Sequence, residues 1–249
     1  MTYSPQVLVV IPARFASVRF PGKPLAPIAG KPMIQRVAER ARLAQSVSRV
    51  LIATDDERII QAARSFDVEA ILTRGDHRTG TDRVAEVASR VEADIYLNVQ
   101  GDEPLVDPAA IDAVAKALLD DPDANLATPV SPITHKNDIV DPNVVKAVLD
   151  FDSNALYFSR APIPWVRDTA SHVLARHWKH IGIYGFRRNA LLEFPTLPPG
   201  ELEHIEQLEQ LRWLENGFRI RVVETTYDAV SVDIPSDVDR VEKILRASS

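Results

Sequence analysis

The chain has 249 residues with 35 acidic and 29 basic side chains, a net charge of −6, and is 45% hydrophobic and 26% charged. This is a globular composition that excludes fibrous and disordered classes, and its acidic balance argues against a nucleic-acid partner bound by bulk electrostatics. The absence of cysteine excludes disulfides, zinc thiolates, iron–sulfur clusters and thiol nucleophiles. No apolar run reaches the ~18 residues of a membrane span, and the start lacks a basic, cleavable signal pattern, so a cytoplasmic protein with no membrane partner is expected.

Val7–Ile11 is purely apolar and mostly β-branched, the pattern of a strand buried on both faces. A helix is expected from Met33 to about Ala44, with Pro32 near its first turn, then a strand at Arg49–Ala53 and a helix at Asp56–Phe66 capped by Thr54 or Asp55. Ala70–Leu72 reads as a short strand, Thr81–Val91 as a helix and Ile95–Val99 as a strand. Asp107 and Pro108 open a helix over Ala109–Leu119, and Leu126–Val130 is strand-like. This βαβα alternation implies a mostly parallel sheet with helices on both faces.

The second half changes character. Val144–Leu149 and Ala155–Phe158 are strands too close together for a helical crossover, so an antiparallel excursion is expected. Residues 165–178 read as an exposed loop and His180–Phe186 as a strand. Leu202–Glu215 reads as one helix with an apolar stripe of Leu202, Ile205, Leu208 and Leu211. Phe218–Val223 is a strand, and Ser236 caps a closing helix to Arg246. The expected architecture is a single α/β domain over residues 1–249, with a smaller antiparallel lobe inserted at about 131–190.

Charge is unevenly placed. Arg14, Arg19, Lys23, Lys31 and Arg36 precede the first acid, Glu39, and three of these bases lie in PARFASVRFPGKPL, directly after the first strand. Open α/β sheets bind ligands beyond the carboxyl ends of their strands, so this loop is a candidate cradle for a polyphosphate. A Walker A loop is excluded: Ser17 stands where a glycine is needed, and Pro24 follows Gly22-Lys23. No G-x-G-x-x-G occurs. In NVQGDEP, Asp102 and, second, Glu103 follow a strand end and a glycine turn, a placement that suits a hard cation such as Mg²⁺. Asp233 in SVDIPSDV is similar, though acids near turns are also ordinary structural residues.

VVIPARFASVRFPGKPL, TRGDHRTGTDRVAEV, NVQGDEPLV, ALYFSRAPIPW, HIGIYGF and LEHIEQLEQLRWLENG occur in one order with compact spacing. Together they resemble the 3-deoxy-D-manno-octulosonate cytidylyltransferase (CMP-Kdo synthetase) family, from about Val7 to Arg246. The resemblance implies a Rossmann-like nucleotidyltransferase core, a homodimer formed through the smaller lobe, and transfer of CMP from CTP to Kdo for lipopolysaccharide synthesis. It implies Arg14, Arg19, Lys23, Arg74, Thr81 and Gln100 for CTP, with Arg14, Lys23 and Asp102 as catalytic residues and Asp102 and Asp233 as ligands of Mg²⁺. For the sugar it implies Arg160, His180, Tyr184, Glu209 and Gln210. Gly75, Asp82, Ser231, Ile234 and Ser236 are mild departures from the family pattern. Other readings are a sister enzyme for another acidic sugar, a non-catalytic nucleotide sensor, and a glycosyltransferase, whose Asp-x-Asp is not supplied by Asp102-Glu103.

Overall fold

The computed structural model describes residues 4–16, 19–167 and 177–247. Part of the expected loop at 165–178 therefore lies outside the described residues, while Trp178 is already in a strand.

Strand β1 (Val7–Ala13) lies between β4 (Arg49–Thr54) and β6 (Ile95–Asn98), parallel to both, and β5 (Glu69–Leu72) adds in parallel beyond β4. Successive residues of β1 feed opposite cores, as the two-residue strand period requires. Val7, Val9 and Ile11 pack with α1 (Met33–Ala41), α2 (Glu57–Ser65) and α4 (Pro108–Asp120). Leu8 and Val10 face the other side, with α3 (Gly80–Arg90). A two-stranded antiparallel pair, β2 (Pro27–Ile28) and β3 (Lys31–Pro32), sits between β1 and α1 in the chain.

The sheet continues as a mixed one. β7 (Leu126–Pro132) precedes the short α5 (Lys136–Val140) and the antiparallel hairpin of β8 (Lys146–Leu149) and β9 (Ala155–Ser159). The expected strand at His180–Phe186 is interrupted. Its first part, β10 (Trp178–His180), pairs with β7 and β8; its second, β11 (Tyr184–Arg187), pairs antiparallel with β6 and β7. Between them Ile183 N bonds to Ile181 O at 2.8 Å, a three-residue turn centred on Gly182 that takes the backbone out of the ladder. The strands of the antiparallel region thus join the main sheet.

A second departure concerns the expected helix at Leu202–Glu215. After α6 (Arg188–Glu193) the chain forms α7 (Glu201–Glu206), then breaks at Gln207, which is left-handed with φ 54°, and resumes as α8 (Gln210–Glu215). Gln207 N and Leu208 N both bond to Glu203 O, the hydrogen bonds of a left-handed helix stop. The supposed stripe is divided accordingly: Leu208 and Leu211 are buried, whereas Leu202 and Ile205 are exposed. β12 (Arg221–Glu224) pairs in parallel with β7, and α9 (Pro235–Ala247) closes the chain. Ser236 is not its cap. The Asp237 carboxylate accepts from Asp233 N and Ile234 N, satisfying donors at the helix start. Similarly, Asp56 caps α2 by accepting from Arg58 N, while Asp55 is drawn to Arg83.

Candidate active site

Beyond the carboxyl end of β1 the loop turns back on itself. Gly22 N bonds to Phe15 O at 3.0 Å, and Gly22 has φ 72° with Phe15 Cζ 3.2 Å from where a Cβ would stand, so only glycine fits without strain. The Arg58 guanidinium covers the Phe15 ring, 3.3 Å from its centroid, and ties this loop to α2. Lys23 follows on a short 3₁₀ turn, Lys23–Leu25.

The loop after β6 packs closely against β1. A Cβ on Gly101 would lie 2.8 Å from Pro12 O, so glycine is required here to bring Asp102 alongside. Val232 N donates to Asp102 O at 2.9 Å, and buried Val232 packs with Ile28, Met33 and Val241, which places Asp233 beside the same point. Lys23 Nζ is 2.7 Å from Asp102 Oδ2 and 3.4 Å from Asp233 Oδ1, and Arg19 Nη2 is 3.0 Å from Asp233 Oδ1. Four residues singled out in the sequence thus meet. Glu103 turns inward instead: it is buried, and burial followed by the adjacent Asp102 charge pushes its carboxyl up to about 7, with Tyr227 Oη donating to it at 3.2 Å.

A cavity of ≈ 290 Å³ is lined by Arg14, Lys23, Arg83, Gln100, Gly101 and Asp102, among others. Arg14 Nη2 donates to the His77 carbonyl. A second cavity, ≈ 320 Å³, is lined by His180, Gly182, Tyr184, Glu209 and Gln210, with Gln100 again in its wall. Gln100 is therefore the partition between the two.

The second cavity carries a set of hydrogen-bonded polar side chains. Thr128 Oγ1 contacts two carbonyls, Ile183 O at 2.8 Å and Ile181 O at 3.3 Å, and His180 Nε2 at 2.9 Å. Carbonyls only accept, so the single hydroxyl proton goes to them and His180 Nε2–H is the donor to Thr128. Burial lowers the imidazole to about 3, leaving it neutral with Nδ1 as an acceptor. Despite the break at Gly182, His180 and Tyr184 still share a face, their ring centroids 5.4 Å apart. Tyr184 Oη donates to Gln210 Oε1 at 3.0 Å, and Gln210 Nε2 is buried with no hydrogen-bond partner among the described residues. Glu209 accepts from Thr81 Oγ1 at 2.8 Å, and burial raises its carboxyl against the help of Thr81 and Thr79.

Two expected residues lie elsewhere. Arg74 pairs with Asp76 on the outer side of the loop after β5, in a hollow of ≈ 570 Å³ that also holds His77, Glu86 and Arg212. Arg160 does not line either cavity: its guanidinium donates to the carbonyls of Pro142, Glu206 and Gln207, which fixes the wall behind the second one.

A family model described as cytidylyltransferase matches residues 8–222. The chain belongs to the cytidylyltransferase family. It is 54% identical over 243 residues to the 3-deoxy-manno-octulosonate cytidylyltransferase of Solibacter usitatus, across 98% of this chain and 96% of that one. It is 50% identical over 248 residues to the enzyme of the same name from Geobacter sulfurreducens, across 96% and 99%. Among solved structures, CMP:2-keto-3-deoxy-manno-octonic acid synthetase complexed with CTP superposes with a TM-score of 0.93 at 43% identity, covering 98% of this chain and all of the other.

One residue of this cytidylyltransferase's first cavity escaped the sequence reading. Arg83 is fully buried on α3, with Nη2 3.1 Å from Asp55 Oδ2 and Nη1 bonded to Thr73 Oγ1. Burial lowers its pKa and the Asp55 charge opposes this, yet a guanidinium stays protonated, so it contributes a fixed cation at the cavity wall. Its signal was its position at the end of TRGDHRTGTDR, beside residues already singled out.

Proposed function

We propose that this protein transfers CMP from CTP to Kdo and releases pyrophosphate. The observation that carries the reading is the shared Gln100 wall, which sets a cavity with cations and Asp102 directly against one lined by hydroxyl-recognising groups, among them the unpartnered Gln210 Nε2. In the transfer, the anomeric oxygen of Kdo forms a bond to the α-phosphorus as the bond to the β-phosphate bridging oxygen breaks. The hydroxyl proton leaves to solvent.

Positioning and charge neutralisation supply most of the acceleration in such reactions. Arg14, Arg19 and Lys23 hold the triphosphate, and Lys23 balances charge on the departing pyrophosphate. Thr81 and the loop of residues 75–80 form the nucleoside side, and for Arg74 to join them its guanidinium has to leave Asp76 on the outer side of that loop. Gln210 Nε2 donates to a sugar oxygen, His180 Nδ1 accepts from a sugar hydroxyl, and Tyr184 holds Gln210 in place. Glu209, already bonded to Thr81, accepts from a further hydroxyl. For Arg160 to serve the sugar carboxylate, its guanidinium has to exchange its present carbonyl partners for it.

Asp102 and Asp233 fit Mg²⁺. Two carboxylates converge on one ammonium, and no cluster of three or more ligating side chains occurs among the described residues. A cation that takes one or two carboxylates and fills its shell with phosphate oxygens and water matches this donor set. When bound, Mg²⁺ neutralises triphosphate charge and acidifies the attacking hydroxyl. Asp102→Asn is expected to lower turnover by at least about 100-fold, the scale of removing one electrostatic stabiliser, with thermal stability retained. A near-normal rate contradicts the assignment.

The protein works in the cytoplasm as a homodimer supplying lipopolysaccharide synthesis. Supporting this, no described helix is long and apolar enough to cross a membrane. Phe151 and Leu156, at the β8–β9 hairpin, and Trp165 nearby in the chain leave apolar side chains exposed for a second copy. Light scattering on the purified protein tests the dimer.

A further inference from the structure

The loop of residues 74–79 is fastened from outside the nucleotide cavity by one carboxylate. Glu86, on α3, accepts from Arg74 N at 3.0 Å through Oε2, and the same oxygen is bonded to His77 Nε2. Its other oxygen pairs with Arg90, one helical turn further on. Burial pushes this carboxyl up, but the Arg74 N–H, the His77 ring and Arg90 together bring it below its ordinary value. The Glu86 side chain is only 10% exposed, and it faces the outer hollow, away from Arg14, Lys23 and Asp102.

What His77 does on its other side makes this arrangement functional. Its backbone carbonyl accepts from Arg14 Nη2. Arg14 follows β1 on an irregular segment and is exposed, so its long side chain has much rotamer freedom to lose before it can hold an anion. The carbonyl restrains that freedom, and its own position depends on the His77 ring being held by Glu86. The Arg90 pair runs along the helix, and Arg90 Nη1 donates to Leu72 O ahead of the loop at 2.8 Å; the two bonds from Glu86 to Arg74 N and His77 are what reach the site.

We propose that Glu86 is a positioning residue for the nucleotide, setting CTP affinity through His77 and the orientation of Arg14. The inference rests on the reading that Arg14 holds the triphosphate.

The test is steady-state kinetics on the full-length protein. Glu86→Gln keeps the size of the side chain and removes the negative charge that faces the His77 ring. It is expected to raise the KM for CTP about tenfold, the scale of one weakened charge-assisted hydrogen bond, with kcat and the KM for the sugar unchanged within about twofold. His77→Ala, which retains the backbone carbonyl, reports the same link should Glu86→Gln fold poorly, and is expected to shift the KM for CTP alike. The double variant is expected to shift it no further than either single one. Arg90→Gln removes the helix pair and the bond from Arg90 Nη1 to Leu72 O, neither of which touches residues 74–79, and leaves the KM for CTP unchanged. A loss confined to kcat or to the amount of active protein makes Glu86 merely structural and overturns the proposal, as does an additive double variant. Arg14→Gln separates the two failures. If it raises the KM for CTP and Glu86→Gln does not, this link alone is wrong; if it does not, the nucleotide-site reading falls and takes the link with it.

Discussion

The Lys23 ammonium bridges two carboxylates that lie 79 and 210 positions away in the chain, Asp102 at 2.7 Å and Asp233 at 3.4 Å. Each arrives by a different route: Lys23 after the Gly22 turn, Asp102 after the close Gly101 packing, and Asp233 on the segment tied by Val232 N to Asp102 O. Removing the ammonium leaves two like charges facing one point, which favours a divalent cation there and removes a partner of the triphosphate. Lys23→Met is therefore expected to tighten Mn²⁺ binding to the nucleotide-free protein while lowering turnover by about 100-fold or more. Titration calorimetry and pyrophosphate release measure the two effects, and a loss of both cation binding and turnover contradicts this account.

Gly101→Ala tests the packing that delivers Asp102. The added Cβ meets Pro12 O at 2.8 Å and Ile34 Cδ1 at 3.2 Å, and the carbonyl belongs to a central strand that cannot yield cheaply. An overpacking cost of about 1–3 kcal/mol is expected, and at roughly 2–4 °C per kcal/mol the melting temperature falls by several degrees. Turnover falls further than the melt implies, because Asp102 moves with the loop.

Acid sensitivity follows from His180. Its folded-state pKa is lowered by burial from 6.5 to about 3, so the unfolded chain binds a proton there that the folded chain refuses. The stabilisation is fully present above pH 6.5 and is lost as pH falls toward 3, by up to about 1.4 kcal/mol per pH unit. His180→Gln is expected to remove about 2 kcal/mol of the stability lost between neutral pH and pH 5, read from urea midpoints at the two pH values. Identical acid dependence in both proteins excludes His180 as the source.

Lys146 is fully buried, and its ammonium donates to three carbonyls, Asp141 O at 2.8 Å, Val144 O at 2.5 Å and Arg160 O at 2.6 Å. It thereby fixes the segment whose Asn143, Val144 and Val145 line the second cavity. Lys146→Met leaves three half-buried carbonyls without this donor at a cost of about 1–3 kcal/mol. A lower melting temperature is expected, with a raised KM for the sugar and an unchanged KM for CTP; an equal effect on both substrates refutes the local role.

The parallel half of the fold was legible because β1, β4 and β6 are buried on both faces and α4 opens on a clear cap, Asp107 with Pro108, whereas the cap of α2 is one residue beyond the expected Thr54 or Asp55. Lys23 and Asp102 were legible by residue type and place in the chain and Asp233 through the family resemblance, and the structure brings the three together. What escaped was non-local. Nothing in the helical pattern of Leu202–Glu215 announces that Gln207 turns left-handed, yet that break is what brings Glu209 to Thr81. The Gly182 turn interrupts an otherwise good strand pattern for the sake of the cavity it lines. Glu103 and Arg160 have the right chemistry for a site, but Tyr227 and a set of backbone carbonyls claim them, and those partners lie 46 residues away or more for all but the 18-residue step to Pro142.

The most direct test of the account is pyrophosphate release by the purified protein with CTP, Kdo and Mg²⁺, compared with reactions lacking sugar, lacking Mg²⁺, or containing UTP or ATP in place of CTP. Release that requires CTP, Kdo and Mg²⁺ together is the predicted result. Release without the sugar, equal release from UTP or ATP, or CTP binding with no release for any acidic sugar contradicts it.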